Sequence, residues 1–305
     1  MKSTITALAL SSFLLTSSHA ESASSGLIGI PDIDFASGSR DASTIGLAIG
    51  TLNYTQQFSS DFDSLPGDVS VDNFSLWTPL VPLNFGEVHV ISYLGYSWTQ
   101  FDTSTPNLLT EDSLQTFYLP VAAVWEPKDR WLAGIGVMPG YSGASSSSDN
   151  FSFAAAAAVG YEYSDDLLLY GGFYYSEGFG ESTFIPGIAF DWKFCDRWSF
   201  YILGPIGGIR YEVSDNWLIS LVGDYEIPTW HIKGSDGAPD RDITVSSFNL
   251  GLKSEHRVGK YGWAYLSAGY SFLREMEIED LSDNVLQKDD IDSGAFVELG
   301  MTLRF

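Results

Sequence analysis

Long apolar runs are missing from this chain of 305 residues. Beyond the first twenty residues, no stretch reaches the roughly 20 apolar residues a spanning helix needs before Gly, Asp, Glu or Lys interrupts it. Helical membrane spans are therefore excluded. Cysteine is nearly missing too: Cys195 stands alone, which rules out an internal disulfide and a cysteine-based metal cluster. Basic residues are scarce, with 15 Lys+Arg against 39 Asp+Glu and a formal net charge of -24. Nucleic acid is disfavoured as a partner, because neutralising phosphates requires a basic surface. Catalytic motifs are lacking as well. Past position 20 the histidines are His89, His231 and His256, in neither His-x-x-x-His nor Glu-x-x-His spacing, and there is no Gly-x-Ser-x-Gly elbow or phosphate loop. The expectation is a protein that is not an enzyme and needs no cofactor.

What is present is apolar material in fine alternation. Hydrophobic residues make up 45% and aromatics 15%, yet mean hydropathy is only +0.03. Such a balance fits strands whose side chains alternate with period two between an apolar and a polar face. Ala295, Val297, Leu299, Met301, Leu303 and Phe305 share one face, while Glu298, Gly300, Thr302 and Arg304 lie opposite. Phe184, Ile188, Phe190, Trp192 and Phe194 oppose Asp191 and Lys193. Trp217, Ile219, Leu221 and Tyr225 oppose Ser220, Asp224 and Glu226. Val88, Val90, Leu94, Tyr96 and Trp98 oppose Glu87 and His89, and Ala264, Leu266, Ala268, Tyr270 and Phe272 repeat the pattern.

The fold class expected is all-β: a single antiparallel transmembrane β-barrel of about fourteen strands over 41–305. Residues 1–20 read as a signal peptide, with Lys2, an apolar stretch from Ile5 to Leu15 and a Ser18-His19-Ala20 cleavage pattern. Residues 21–40 read as a periplasmic or lumenal segment. Short turns at 84–86, 127–130, 164–166, 195–197, 214–216 and 258–261 alternate with longer segments such as 228–242 and 275–292, the habit of barrels with short periplasmic turns and long outer loops. Parity fixes the count. Reading Trp198 to Val213 as one strand gives thirteen, but a hairpin turning at Gly204-Pro205 gives an even fourteen, and Pro205 lacks a ladder donor. Trp125, Trp131, Tyr163, Trp192, Trp198, Trp217 and Trp263 sit beside the short turns, where an aromatic girdle belongs.

Turning the polar face inward places Glu87, His89, Asp191, Lys193, Arg210, Glu212, Asp224, Glu226, Lys253, Glu255, Glu298 and Arg304 in the lumen. The reverse assignment would put Arg or Lys in hydrocarbon at about 2–4 kcal/mol each near midplane. Arg210, Glu212, Asp224 and Glu226 come from neighbouring strands and suit either a charged constriction or a salt-bridge network that only fills the barrel. In the acidic segment 275–292, Glu277, Glu279, Asp280 and Asp283 are weak metal candidates, since oxygen ligands suit Ca²⁺ or Mg²⁺ but the spacing is not that of an EF-hand.

The signal peptide, alternating strands, aromatic girdle and terminal Phe305 together resemble bacterial outer-membrane porin-like barrels, and most closely an uncharacterised outer-membrane β-barrel family of unknown function. The resemblance implies residence in the outer membrane, lipid and lipopolysaccharide as surroundings, and Phe305 as the signal read by the barrel assembly machinery. It implies no substrate. The function expected is a passive channel for small polar solutes, with acidic residues favouring cations. A carrier of hydrophobic molecules with a lateral exit, near a strand kinked at Pro186 or Pro120, and a non-conducting surface or adhesion barrel stay open beside it.

Overall fold

The computed structural model describes residues 50–303 apart from 82, 86, 107, 110, 129, 145–150, 179–180, 234–238 and 283. The expected signal peptide 1–20, the segment 21–40, Asp283, Arg304 and Phe305 lie outside the described residues. No helix occurs among the described residues. The chain runs as β1 (Gly50–Asp61), β2 (Asp68–Pro79) continued by β3 (Leu83–Phe85), β4 (Val88–Thr103), β5 (Ser113–Tyr118) continued by β6 (Val121–Lys128), β7 (Trp131–Gly143), β8 (Phe151–Ser164) and β9 (Leu167–Gly178). It goes on as β10 (Glu181–Cys195), β11 (Trp198–Leu203), β12 (Ile206–Ser214), β13 (Trp217–Glu226) extended by β14 (Thr229–Ile232), β15 (Arg241–Val258), β16 (Gly262–Asp280), and β17 (Val285–Ile291) continued by β18 (Gly294–Leu303).

Joining the interrupted strands gives a closed antiparallel barrel of fourteen. Each strand pairs with the next in sequence, and β1 pairs with β18 from Gly50↔Leu303 to Gln57↔Phe296, so the wall meets itself. Closure leaves no free edge at that seam, which a sheet in hydrocarbon requires. The hairpin expected from parity is present. β11 and β12 turn at Gly204-Pro205, where Gly204 takes φ 64, a left-handed conformation that glycine adopts without Cβ strain.

Alternation sorts the side chains as the sequence demands. Leu52, Leu94, Ile135, Val159, Phe173, Ile188, Leu221, Leu252, Leu266 and Leu299 are exposed on the outer face. A continuous apolar belt of this kind is costly in water and favourable in lipid, so the outer surface is that of a membrane-spanning barrel. Trp125, Trp131, Trp192, Trp198 and Trp217 form the girdle at the short-turn end. Trp263 departs from that expectation. It is buried and points inward, because the exposed Leu266 and Tyr270 on the same strand leave odd positions facing the lumen.

Strand length is uneven. β15 and β16 have 18 and 19 residues, whereas β11 has 6. The apolar band of such a barrel is about 25 Å tall, which a tilted strand crosses in about ten residues. The long strands therefore overshoot at the long-loop end. Their ends fold inward into one apolar core of Phe62, Val69, Phe101, Leu114, Trp230, Ile232, Ile243, Val245, Met276, Ile278 and Ile291. We call this core the roof.

Candidate functional site: the lumen, its roof and a gap in the wall

The lumen has two chemically distinct flanks. The first is apolar and comes mainly from β4 to β9: Ile91, Tyr93, Ala122, Val124, Leu132, Met138, Ala154, Ala156, Leu168, Tyr170 and Tyr174 pack together, all buried. Trp77 stacks on Tyr118 beside them, ring centroids 5.8 Å apart.

The second flank is polar and comes from β10 to β18 with β1. Near the short turns, Asp191, Arg210, Glu212 and Glu255 are buried, and the Arg210 guanidinium lies 5.3 Å from the centre of the Tyr201 ring. Farther along, the Asn249 amide donates to Asp224 at 2.9 Å and the Ser271 hydroxyl donates to Asn249 at 2.5 Å. Lys253 sits 3.7 Å over the Tyr265 ring. The Tyr265 hydroxyl donates to Glu298 at 2.8 Å, and Glu298 also accepts from the Asn53 amide at 3.0 Å. Fixed donors hold Asp224 and Glu298 in place, a requirement for a charge taken out of bulk water. Glu226, the last residue of β13, shares the inward parity of Asp224 and a side-chain hydrogen bond with it.

Most of the expected lumenal residues face inward: His89, Asp191, Lys193, Arg210, Glu212, Asp224, Glu226 and Glu298 lie on the inward parity of their strands. Glu87 does not. It occupies the turn between β3 and β4, is exposed, and accepts a hydrogen bond from Trp125 Nε1 at 3.4 Å on the girdle side. Alternation cannot place a residue once the strand has ended. The structure separates Arg210 and Glu212 from Asp224 and Glu226 along the barrel axis, with Arg210 paired to Ser220 and Asp224 to Ile206. They do not form one ring.

The acidic segment expected as a loop is a β-ribbon. β16 and β17 pair from Arg274↔Ile291 to Glu279↔Val285. The reason lies in its hidden alternation: Met276, Ile278 and Ile291 enter the roof while Glu275, Glu277 and Glu279 point away, and Asp289, buried on the roof side, accepts from the backbone N–H groups of Ser64 and Leu65. Glu275 and Glu277 each bind Lys288 Nζ at 2.6 Å. Asp280 caps the turn, accepting from the backbone N–H groups of Ser282 and Asn284 and from the Asn284 amide at 2.8–3.1 Å. Among the described residues no cluster of His, Cys, Asp and Glu fit to hold a metal occurs.

The roof ties opposite walls together. Phe101 of β4 meets Trp230 of β14 edge to face, 5.6 Å between centroids. His231 forms a single parallel bridge with Gly143 of β7, and the Ser142 hydroxyl donates to the Thr229 carbonyl at 2.9 Å. His231 itself is buried, with Nδ1 2.7 Å from Asp242 and Nε2 3.6 Å from Asp240. Sequence reasoning missed this histidine as a structural element; the only signal was its alternation with Trp230 and Ile232 in a segment taken for loop.

Below the roof the wall is incomplete. β10 pairs with β9 from Glu181 to Trp192, but with β11 only from Phe190 inward to the turn. On the other side, β12 reaches β13 no farther than Ile206↔Asp224, beyond which the Tyr225 N–H donates to the Pro205 carbonyl at 3.2 Å. Among the described residues, positions 181–189 of β10 thus have a strand partner on one side only. Pro120, one of two positions expected to kink a strand, interrupts the pair β5 and β6, whereas Pro186 lies inside an unbroken β10 at this gap.

The profile of the family described as Domain of unknown function (DUF6268) matches residues 118–303, more than half of the chain. No curated protein matches in sequence. Among solved structures, a KdgM porin aligns at 11% identity over 84% of this chain and 99% of its own, with a TM-score of 0.31. The NanC porin aligns at 9% identity over 83% and 100%, with a TM-score of 0.37. The P. putida toluene transporter TodX aligns at 7% identity over 84% and 90%, with a TM-score of 0.37. These superpositions are too loose to transfer anything to this chain.

Proposed function

This chain belongs to the DUF6268 family, which brings no activity with it, and from the geometry we propose that it is a passive transport barrel of the bacterial outer membrane. The observation that carries the reading is a barrel sealed from β1 to β18 with an apolar outer face and a polar inner flank that includes Asp224, Lys253 and Glu298. Charged side chains along the inner face of a membrane barrel are what a permeation path uses to select its solutes. Asp191, Glu212, Asp224, Glu226, Glu255 and Glu298 outnumber Lys193, Arg210 and Lys253 on the polar flank, so the water path favours cations over anions. The short-turn end faces the periplasm and the roof faces outward, as the turn lengths indicate. Purified protein in planar bilayers tests the reading. Conductance steps are expected, with a reversal potential on the cation side in a salt gradient, and Glu298→Gln is expected to move it toward zero. Absence of steps at every voltage and salt concentration would reject a water path.

A second reading, a carrier of hydrophobic molecules, is favoured by a specific observation. The roof lies across the direct route to the outside, while the gap above the β11–β12 hairpin leaves the wall short.

A further inference from the structure

We propose that the gap between β10 and β13 is a lateral portal, through which apolar small molecules dissolved in the outer leaflet enter the lumen. The proposal rests on the transport reading above and adds its route and substrate class.

Depth is the first argument. β11 has 6 residues. At ~3.3 Å per residue that is about 20 Å of strand, or roughly 15 Å along the membrane normal at the usual tilt, against an apolar band of about 25 Å. The top of the hairpin therefore lies inside the hydrocarbon, on the side of the roof. The second argument is backbone chemistry. Bare strand edge at that depth is tolerated only where it is buried in protein or lines a wet cavity, and the open space at Gly187, with nothing within 4 Å of an added Cβ, favours the cavity. Positions 181–189 of β10 have such an edge, so the lumen and the bilayer meet there. Pro186 further removes one backbone donor from this stretch.

The rim suits apolar molecules. Phe184 and Ile188 are 63% and 81% exposed on its lipid side. At the inner side is Gly187, where an added Cβ would meet nothing within 4 Å. Leu203, at the top of the hairpin, packs against the apolar flank of the lumen. A molecule entering past Gly187 thus moves from lipid to an apolar lumenal wall without crossing the roof.

The test uses N-phenyl-1-naphthylamine, a hydrophobic dye that an intact outer membrane excludes and that fluoresces once inside. Gram-negative cells producing the wild-type protein should take it up severalfold faster than cells without it. Gly187→Trp fills the portal from the lumen side and should return uptake to background, and Gly187→Leu should slow it. Gly171→Trp is the control: it lies on the neighbouring strand opposite Ile188, faces lipid, and also has nothing within 4 Å of its Cβ position. It should leave uptake unchanged. Folding of each variant is checked by its heat-modifiable migration on gels. Uptake by folded Gly187→Trp equal to wild type would overturn the portal, as would a wild-type protein that conducts ions in bilayers but admits no dye. A protein that passes neither ions nor dye would instead overturn the transport reading itself.

Discussion

At the scale of single residues, the inner face is set by what each side chain must find there. His231 is 1% exposed and depends on Asp242 at 2.7 Å. Asp242→Ala leaves a buried imidazole without that partner, a loss of about 1–3 kcal/mol. A lower urea midpoint in detergent, with the denaturant slope unchanged, is the expected result. Gly300 shows the opposite constraint. A Cβ there would lie 2.3 Å from the ring of Tyr265, the residue that anchors Glu298. Gly300→Val should therefore fail to give a heat-modifiable barrel, whereas Gly171→Ala, with open space around it, should behave as wild type. The inward direction of Asp191, Asp224 or Glu298 could be read from alternation alone. Their partners could not, because Asn53 and Glu298 are 245 residues apart and only the closure of the wall brings them together. Glu87 was misplaced for a complementary reason: period two holds within a strand and lapses in a turn.

At the scale of elements, the fourteen strands were legible because lipid outside and water inside impose a strict alternation, and because parity forces the hairpin at Gly204-Pro205. The ribbon of β16 and β17 was not. Its acids mask the apolar positions Met276, Ile278 and Ile291, which are visible as strand pattern only once the roof is known. The ribbon's turn should respond to acid. The Asn284 amide, with the backbone N–H groups of Asn284 and Ser282, holds the Asp280 carboxyl below its ordinary range. A depressed value in the folded state means stabilisation that is complete above the ordinary carboxylate pKa and lost as pH falls through the folded one. Amide exchange in the turn should accelerate as pH falls through that window, after correction for intrinsic rates, and Asn284→Ala should start the acceleration at a higher pH. Lys288 has the reverse sign. Glu275 first, then Glu277, raise its pKa, so its contribution is present below the ordinary lysine range and fades as pH rises through the raised value. With the side chain 48% exposed, solvent screening limits that contribution to about 1 kcal/mol or less. Lys288→Met should accordingly change the urea midpoint slightly, and less so in high salt.

At the scale of the whole molecule, the roof and the wall are separable structures. The roof joins side chains from strands on opposite sides of the barrel, as Phe101 and Trp230 do, and no local pattern announces such a meeting. Trp230→Ala removes a large buried ring at a cost of about 3–5 kcal/mol. That loss should fall on the roof while the ladders of the wall persist, so larger conductance steps at unchanged strand content by circular dichroism are expected. Steps of wild-type size would show that the roof does not limit flow.

The pairing of β1 with β18 carries a consequence for biogenesis. The ring is sealed by its first and last staves, so nothing made early can finish the cylinder by itself. Until both are in hand, two raw margins stay available for neighbours, and whatever shepherds the nascent polypeptide has to shield them together. In a refolding time course of the Tyr54→Cys/Leu299→Cys variant, protease resistance of the interior strands should therefore lag until these two positions, opposite one another at that junction, can be joined as a disulfide by an added oxidant.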